Sequence, residues 1–198
     1  KIIKKKKIIL SSVEKKLLNF QTEAPYIKIR EIASISTGSK NTENKKEDGK
    51  YPFFIRSSTV QKINSFSYDK EAVLTAGDGQ VGEIFHYVKG KFDAHQRVYI
   101  ISNFKKDIHG KYFYYQFKNN FYNRVMSMTA KSTVDSVRME MIADMKILIP
   151  TMEIQTSISA QLDDYYKEIR LMNERLNKAK KIKTGMMQEL LSGRVRLI

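Results

Sequence analysis

Between Ile158 and Leu190, ten positions recur at alternating spacings of four and three: Ile158, Leu162, Tyr165, Ile169, Met172, Leu176, Ala179, Lys183, Met186 and Leu190. All but Lys183 are apolar or aromatic, the a/d seam of a coiled coil. No Gly or Pro interrupts the stretch from Thr151 to Gly185. Thr151 reads as the N-cap, with Glu153 in the first turn, and Gly193 as the C′ stop. A helix from about Glu153 to Leu191 is on the order of 55 to 60 Å long. Leaving its seam in water costs roughly 1 to 2 kcal/mol for each large side chain, so the pattern predicts a partner helix from a second copy or another subunit. The alternative is a helix folded back over its own domain, which needs an apolar groove longer than the domain is wide. No second helix of this length is legible in the chain.

Charge is the next constraint. The 198 residues carry 36 Lys and Arg against 21 Asp and Glu, a net of +15. The excess is +6 over Lys1 to Gln21, +6 over Thr22 to Pro150 and +3 over Thr151 to Ile198. A chain basic in every section suits nucleic acid, although Lys-rich proteins of AT-rich genomes reach similar values through codon usage. There is no Cys, which excludes disulfides, thiolate metal ligands and a thiol nucleophile, and fits a reducing cytoplasm. No apolar run reaches the roughly 18 residues needed to span a bilayer, so no membrane role is expected.

The chain divides into a basic arm over 1–21, a domain over 22–150 and the long helix over 151–198. The arm alternates Lys with Ile and Leu and lacks the apolar stretch and cleavage site of a secretory signal. It reads as an amphipathic arm or short helix lying on the domain or a partner, with phosphate binding as the alternative. In the domain, Pro52–Arg56, Ala72–Thr75, Val81–Tyr87, Arg97–Ser102 and Met145–Ile149 read as strands. Phe113, Phe117 and Phe121, four apart, predict an amphipathic helix from Gly110 to Met126, with the aromatic residues from Tyr112 to Tyr122 in the core. The fold class is therefore α+β, a mixed, β-rich domain followed by a long coiled-coil helix. The stretch from Gly38 to Gly49 has no apolar residue and is expected to face solvent.

Catalytic constellations are absent from the pattern. Gly77-Asp78-Gly79-Gln80-Val81-Gly82 has G-x-G-x-x-G spacing, but it joins two strand-like runs and opens no helix, so it reads as a hairpin turn rather than a cofactor loop. In Asp93-Ala94-His95-Gln96-Arg97 no nucleophile or metal set accompanies the imidazole, and His95 reads as a structural residue between strands. Asp163 and Asp164 are adjacent on the helix and diverge by about 100°, a poor Mg²⁺ clamp. Three scattered histidines, His86, His95 and His109, make no metal site.

Four phrases, GKYPFFIRSS from Gly49, AVLTAGDGQVGEIFHYVKGKFDAHQRVYII from Ala72, AKSTVDSVRMEMIADMKILIPTMEIQTSI from Ala130 and MMQELLSGRVRL from Met186, together resemble the DNA-specificity subunit of type I restriction–modification systems. The resemblance covers nearly the whole chain from about Tyr26. It implies a target-recognition domain followed by a long helix, a pair that a full subunit carries twice, so the chain looks like a half-subunit or a fragment of one. It further implies no catalytic activity and no cofactor of its own. The implied partners are double-stranded DNA, methyltransferase subunits that bind S-adenosylmethionine and methylate adenine, and a restriction subunit that cuts DNA.

The candidate DNA-binding residues are polar groups on exposed turns: Ser39, Lys40, Asn41, Asn44, Lys45 and Lys46; Arg56, Ser57, Ser58 and Thr59; Gln80; and Lys131, Ser132 and Thr133. Lys and Arg neutralise phosphates, while Arg, Asn and Gln can bond base edges in pairs, and residue type alone does not divide these roles. The expected dimer interface is Ile158, Leu162, Tyr165, Ile169, Met172, Leu176, Ala179, Met186 and Leu190. A dimer held there would read one half of a bipartite site with each domain, directing methylation and cleavage by its partners. The alternative function is a stand-alone DNA-binding or regulatory protein dimerised by the same helix.

Overall fold

Continuous apolar runs mark the middle of the sheet, because its central strands are covered on both faces. The computed structural model describes residues 2–20, 23–128 and 136–192. In chain order the elements are α1 (Ile2–Leu18), β1 (Tyr26–Lys28), α2 (Ile29–Ile32), β2 (Ser34–Thr37), β3 (Tyr51–Phe54), β4 (Gln61–Ile63), β5 (Tyr68–Ala76), β6 (Phe85–Ala94), β7 (Val98–Ser102), α3 (Gly110–Ser127), α4 (Met139–Ala143), β8 (Lys146–Leu148) and α5 (Met152–Leu191). Six strands form a mixed sheet in the order β2-β7-β5-β6-β3-β4, in which only the β3–β6 pair is parallel. The α+β expectation, with a long helix at its end, holds.

Two apolar clusters follow from the two-residue period of the strands. Ala72, Leu74, Phe92, Ala94, Val98 and Ile100 meet Phe54 on one face. Val73 and Ile101 face the other side, where α3 lays down Phe113, Phe117, Phe121 and Val125, one helical turn apart. Phe85 meets Phe117 edge-on at 5.7 Å between ring centres. Most aromatic residues of α3 are core, as their period predicts, but Tyr122 is exposed on the far side of the helix. Its ring covers Gly82, where an added Cβ would come within 2.8 Å.

The expected strand over Val81–Tyr87 is corrected. Gly79 and Gly82 have positive φ of 78° and 76°, so the segment before Phe85 is a wide turn, with Val81 tucked into the core. The strand instead begins at Phe85 and runs on through Lys89-Gly90-Lys91 to Ala94. Gly90, at φ 111°, lies within it. On its way from β2 to β3 the chain crosses the end of β6: the Lys40 N–H donates to the Ala94 carbonyl at 3.2 Å. A Cβ at Gly38 would stand 2.1 Å from that same oxygen, so only glycine fits this crossing.

A separate ladder, β1 with β8, joins the two ends of the domain, and buried polar groups lock it. The Tyr112 hydroxyl donates to the Leu148 carbonyl at 3.0 Å, and burial pushes its pKa up to about 12, so it stays a donor. The Gln155 amide donates to the carbonyls of Asp107 and Pro150 and accepts the His109 N–H, all within 2.9 Å.

The chain divides into two compact units, one of Leu18–Ser159 and one joining the stretch up to Leu17 with that from Ala160 onward. The break expected at Pro150 thus falls later, since Gln155, Ile158 and Ser159 are buried in the globular unit. The arm expected over 1–21 is mostly the helix α1. Its Ile3, Lys6, Leu10, Val13 and Leu17 form a half-buried to buried stripe at three- and four-residue spacing. Lys6 pairs with Glu168, and the Tyr166 hydroxyl donates to Glu14 at 2.5 Å.

This arrangement alters the reading of the seam. Leu162 is fully buried and Ile169 is 9% exposed, so over this stretch the covering helix belongs to the chain itself. Tyr165 lies on the open side, and Met172 is half-buried. Further along, Leu176 is 42% and Met186 62% exposed, with Ala179 and Lys183 also open and Leu190 half-buried. α1 has 17 residues against 40 in α5, too few to cover it all. The expected stop at Gly193 lies outside the described residues.

Candidate nucleic-acid interface

The polar stretch after β2 is exposed from Asn41 to Asp48, as its composition predicts, and is pinned at both ends by glycine. At Gly49 a Cβ would lie 2.4 Å from the Ile63 nitrogen, which matches the close crossing at Gly38. Within it Asn41 and Asn44 cap a short 3₁₀ turn, the Asn41 N–H donating to Asn44 Oδ1 at 2.8 Å. Lys40 is half-buried, its Nζ 3.9 Å from the fully buried Asp93 carboxylate. Structure-forming roles therefore occupy Lys40, Asn41 and Asn44, leaving Ser39, Lys45 and Lys46 to face outward. Glu43, Glu47 and Asp48 balance the three lysines, so the stretch as a whole is neutral.

Two arginines meet at a single carboxylate at the end of β5. Asp78, just after β5, receives Arg56 Nη1 on Oδ1 at 2.7 Å and Arg97 Nη1 on Oδ2 at 2.6 Å. The carboxylate side chain is 15% exposed, while the two guanidinium groups are 41% and 63% exposed. Partial burial alone would raise the Asp78 pKa, but hydrogen bonds from Arg56 and Arg97 and their charges hold it below the ordinary carboxylate value. Backbone contacts fix the carboxylate's position: the Gly77 N–H donates to the Arg97 carbonyl at 2.8 Å and the Val137 N–H to the Gly77 carbonyl at 2.7 Å. A cleft of about 250 Å³ opens beside it, lined in part by Thr37, Gln96, Arg97 and Ser136.

His95 lies between β6 and β7, as expected, and is nearly buried; its Nδ1 accepts the Arg97 N–H at 3.1 Å. Burial, and the charges of Arg56 and Arg97, lower its pKa against an opposing pull from Asp78, so it is neutral near pH 7. Burial likewise lowers His86, whose Nε2–H donates to the Ser57 carbonyl at 2.8 Å. The Ser57 hydroxyl accepts the Thr59 N–H, which shapes the turn after Arg56.

Of the sequence-based candidates, the fold links Arg56 and the loop of Gln80 through Asp78, and links Lys40 to the same place through the neighbouring Gln96, whose N–H donates to the Lys40 carbonyl. Ser58, Thr59 and Gln80 are exposed, and Ser57 is half-buried. Lys131, Ser132 and Thr133 lie outside the described residues. Arg97 and Asp78 were missed as site residues. Each stands beside residues that read as structural, and their partners lie 19 and 22 positions away, beyond any local signal. Among the described residues no three His, Asp or Glu side chains converge to hold a metal.

The architecture is thus a mixed sheet with two guanidinium groups gathered at strand ends, followed in the chain by a long, partly exposed helix. The chain belongs to the type I restriction modification DNA specificity domain family, whose model matches residues 21–181. It is 30% identical over 166 residues to the specificity subunit of the type I restriction enzyme EcoDI of Escherichia coli, covering 84% of this chain and 36% of that protein. The type I restriction–modification S subunit from M. genitalium shares the fold, with TM-score 0.75 and 13% identity over 95% of this chain and 54% of the other. The HsdS subunit from Thermoanaerobacter tengcongensis matches with TM-score 0.63 and 11% identity, over 95% and 51%. The chain thus spans about a third of the curated relative and about half of these solved structures. No described helix is long and apolar enough to cross a membrane.

Proposed function

We propose that this chain reads one half of a bipartite DNA site and delivers methyltransferase and restriction subunits to it, without catalysing either reaction. The observation that carries this is the Arg56–Asp78–Arg97 cluster at the strand ends of a DNA specificity domain. Basic residues elsewhere supply salt-sensitive backbone affinity, and polar side chains on the surrounding turns read bases. S-adenosylmethionine belongs to the methyltransferase, and the complex works in the cytoplasm.

The bare part of the seam, Leu176 to Met186, suits a second copy of α5. A symmetric pair of this kind sets two identical readers at a fixed separation, which specifies a palindromic site with an unread gap. Methylome sequencing of cells that express the chain with adenine methyltransferase subunits tests this. Methylated adenines in an interrupted palindrome are expected. Two dissimilar half-sites would reject the symmetric dimer, and no sequence-specific methylation would reject the recognition function itself.

A further inference from the structure

We propose that Asp78 is a positioning residue for base recognition: it holds Arg56 and Arg97 as a pair of planar forks, each reading a guanine in the half-site. This inference rests on the DNA-reading function proposed above.

Each arginine donates one Nη1 hydrogen to a different oxygen of the same carboxylate, at 2.7 and 2.6 Å. A guanidinium carries five N–H donors, so each retains a second edge for a ligand. Arginine side chains on a surface ordinarily sample many rotamers, and a bidentate bond to guanine O6 and N7 needs one. Asp78 itself is anchored. Its side chain is largely covered, its backbone pairs with that of Ser136 in an isolated β-bridge, and the preceding Gly77 packs against the Arg97 carbonyl and the Tyr99 ring, where a Cβ would stand 3.0 and 3.1 Å away. The neutral His95 supports the Arg97 backbone without adding charge.

Charge argues for bases over phosphates. A carboxylate between the two cations leaves the cluster at +1 and presents a negative group to any phosphate that approaches both. It therefore makes a poor phosphate clamp. A phosphate contact tolerates a mobile ammonium, whereas a base edge demands a planar donor pair in a fixed direction.

The test is selection of randomised duplexes by the full chain co-purified with its methyltransferase subunits, at two salt concentrations, for wild type, Arg97→Lys, Arg56→Lys and Asp78→Asn. The lysine variants keep the charge and remove the fork. Each is expected to lose about ten- to a hundred-fold of preference at one G·C pair and leave other positions unchanged. Asp78→Asn should weaken preference at both pairs with an unaltered salt slope. Thermal melting confirms that each variant is folded. Guanine preference retained in Asp78→Asn would overturn the positioning role, and so would a loss of affinity uniform over all sequences in the lysine variants, which marks contacts that do not read bases. If wild type selects no sequence at all, the recognition function fails and this inference with it; a selective wild type with unaffected variants sinks the inference alone.

Discussion

The Gln116 side chain donates to the Leu18 carbonyl at 2.8 Å, bridging 98 positions of sequence. The same amide nitrogen lies 2.8 Å from the Tyr112 hydroxyl, whose own proton goes to Leu148. Residues before β1, the middle of α3 and the end of β8 are thus tied at one buried point.

Gln116→Leu should leave the Leu18 carbonyl buried without its donor and cost about 1 to 3 kcal/mol. Tyr112→Phe should cost a comparable amount by orphaning the Leu148 carbonyl. Chemical denaturation of both variants, read by far-UV circular dichroism, checks this; two wild-type midpoints would show that the junction is hydrated and carries little energy.

Phe117→Ala should be more damaging. Its ring is fully buried among Phe85, Phe113 and Phe121, and the cavity left behind costs about 3 to 5 kcal/mol. Unfolding in urea should shift its midpoint well below that of the Gln116 variant.

Acid should act through two histidines, His95, which is buried, and His86, which is half-buried. His86 and His95 have pKa values lowered from 6.5, so the unfolded chain binds their protons first as pH falls. Stability then rises with pH through the window between the folded values and 6.5, and is level above it. A His86→Gln, His95→Gln double variant should flatten that limb of a melting-temperature profile. Asp78 has the opposite assignment: its contribution is present above the ordinary 3.8 and disappears as pH falls through the lower folded value, an acid limb missing from Asp78→Asn.

The proposed dimer should depend on the far part of α5. Leu176→Asp with Met186→Asp is expected to give monomers in analytical ultracentrifugation while melting of the globular unit is unchanged. A dimer of undiminished strength would move the interface elsewhere. Ile169→Asp acts differently, because Ile169 is buried within the unit that includes α1, and should lower helix content as well.

Local patterns carried much of the architecture. The four-residue spacing of Phe113, Phe117 and Phe121 placed α3 almost to the residue, and the a/d alternation placed α5. Short elements escaped. Tyr26–Lys28, Ser34–Thr37 and Gln61–Ile63 have three or four residues each, too few to show a period, and they exist because neighbouring strands complete their hydrogen bonds. The candidate site was legible in part: Arg56 and Gln80 stand out as polar residues on turns, and the structure links them through Asp78, whereas Lys40, Asn41 and Asn44 are engaged in holding their own loop.

What the sequence determined by itself is whatever depends on near neighbours: which long stretches are helical, which face of each helix is apolar, and the excess of positive charge. Tertiary structure alone decided that α1 lies beside α5 at Tyr166 and Glu168 and that Asp78 meets both Arg56 and Arg97. Helical and strand periods arise from backbone geometry within a few residues and leave a trace in residue order. A carboxylate's choice of cations depends on how the sheet brings strand ends together, and that depends on the packing of the whole core.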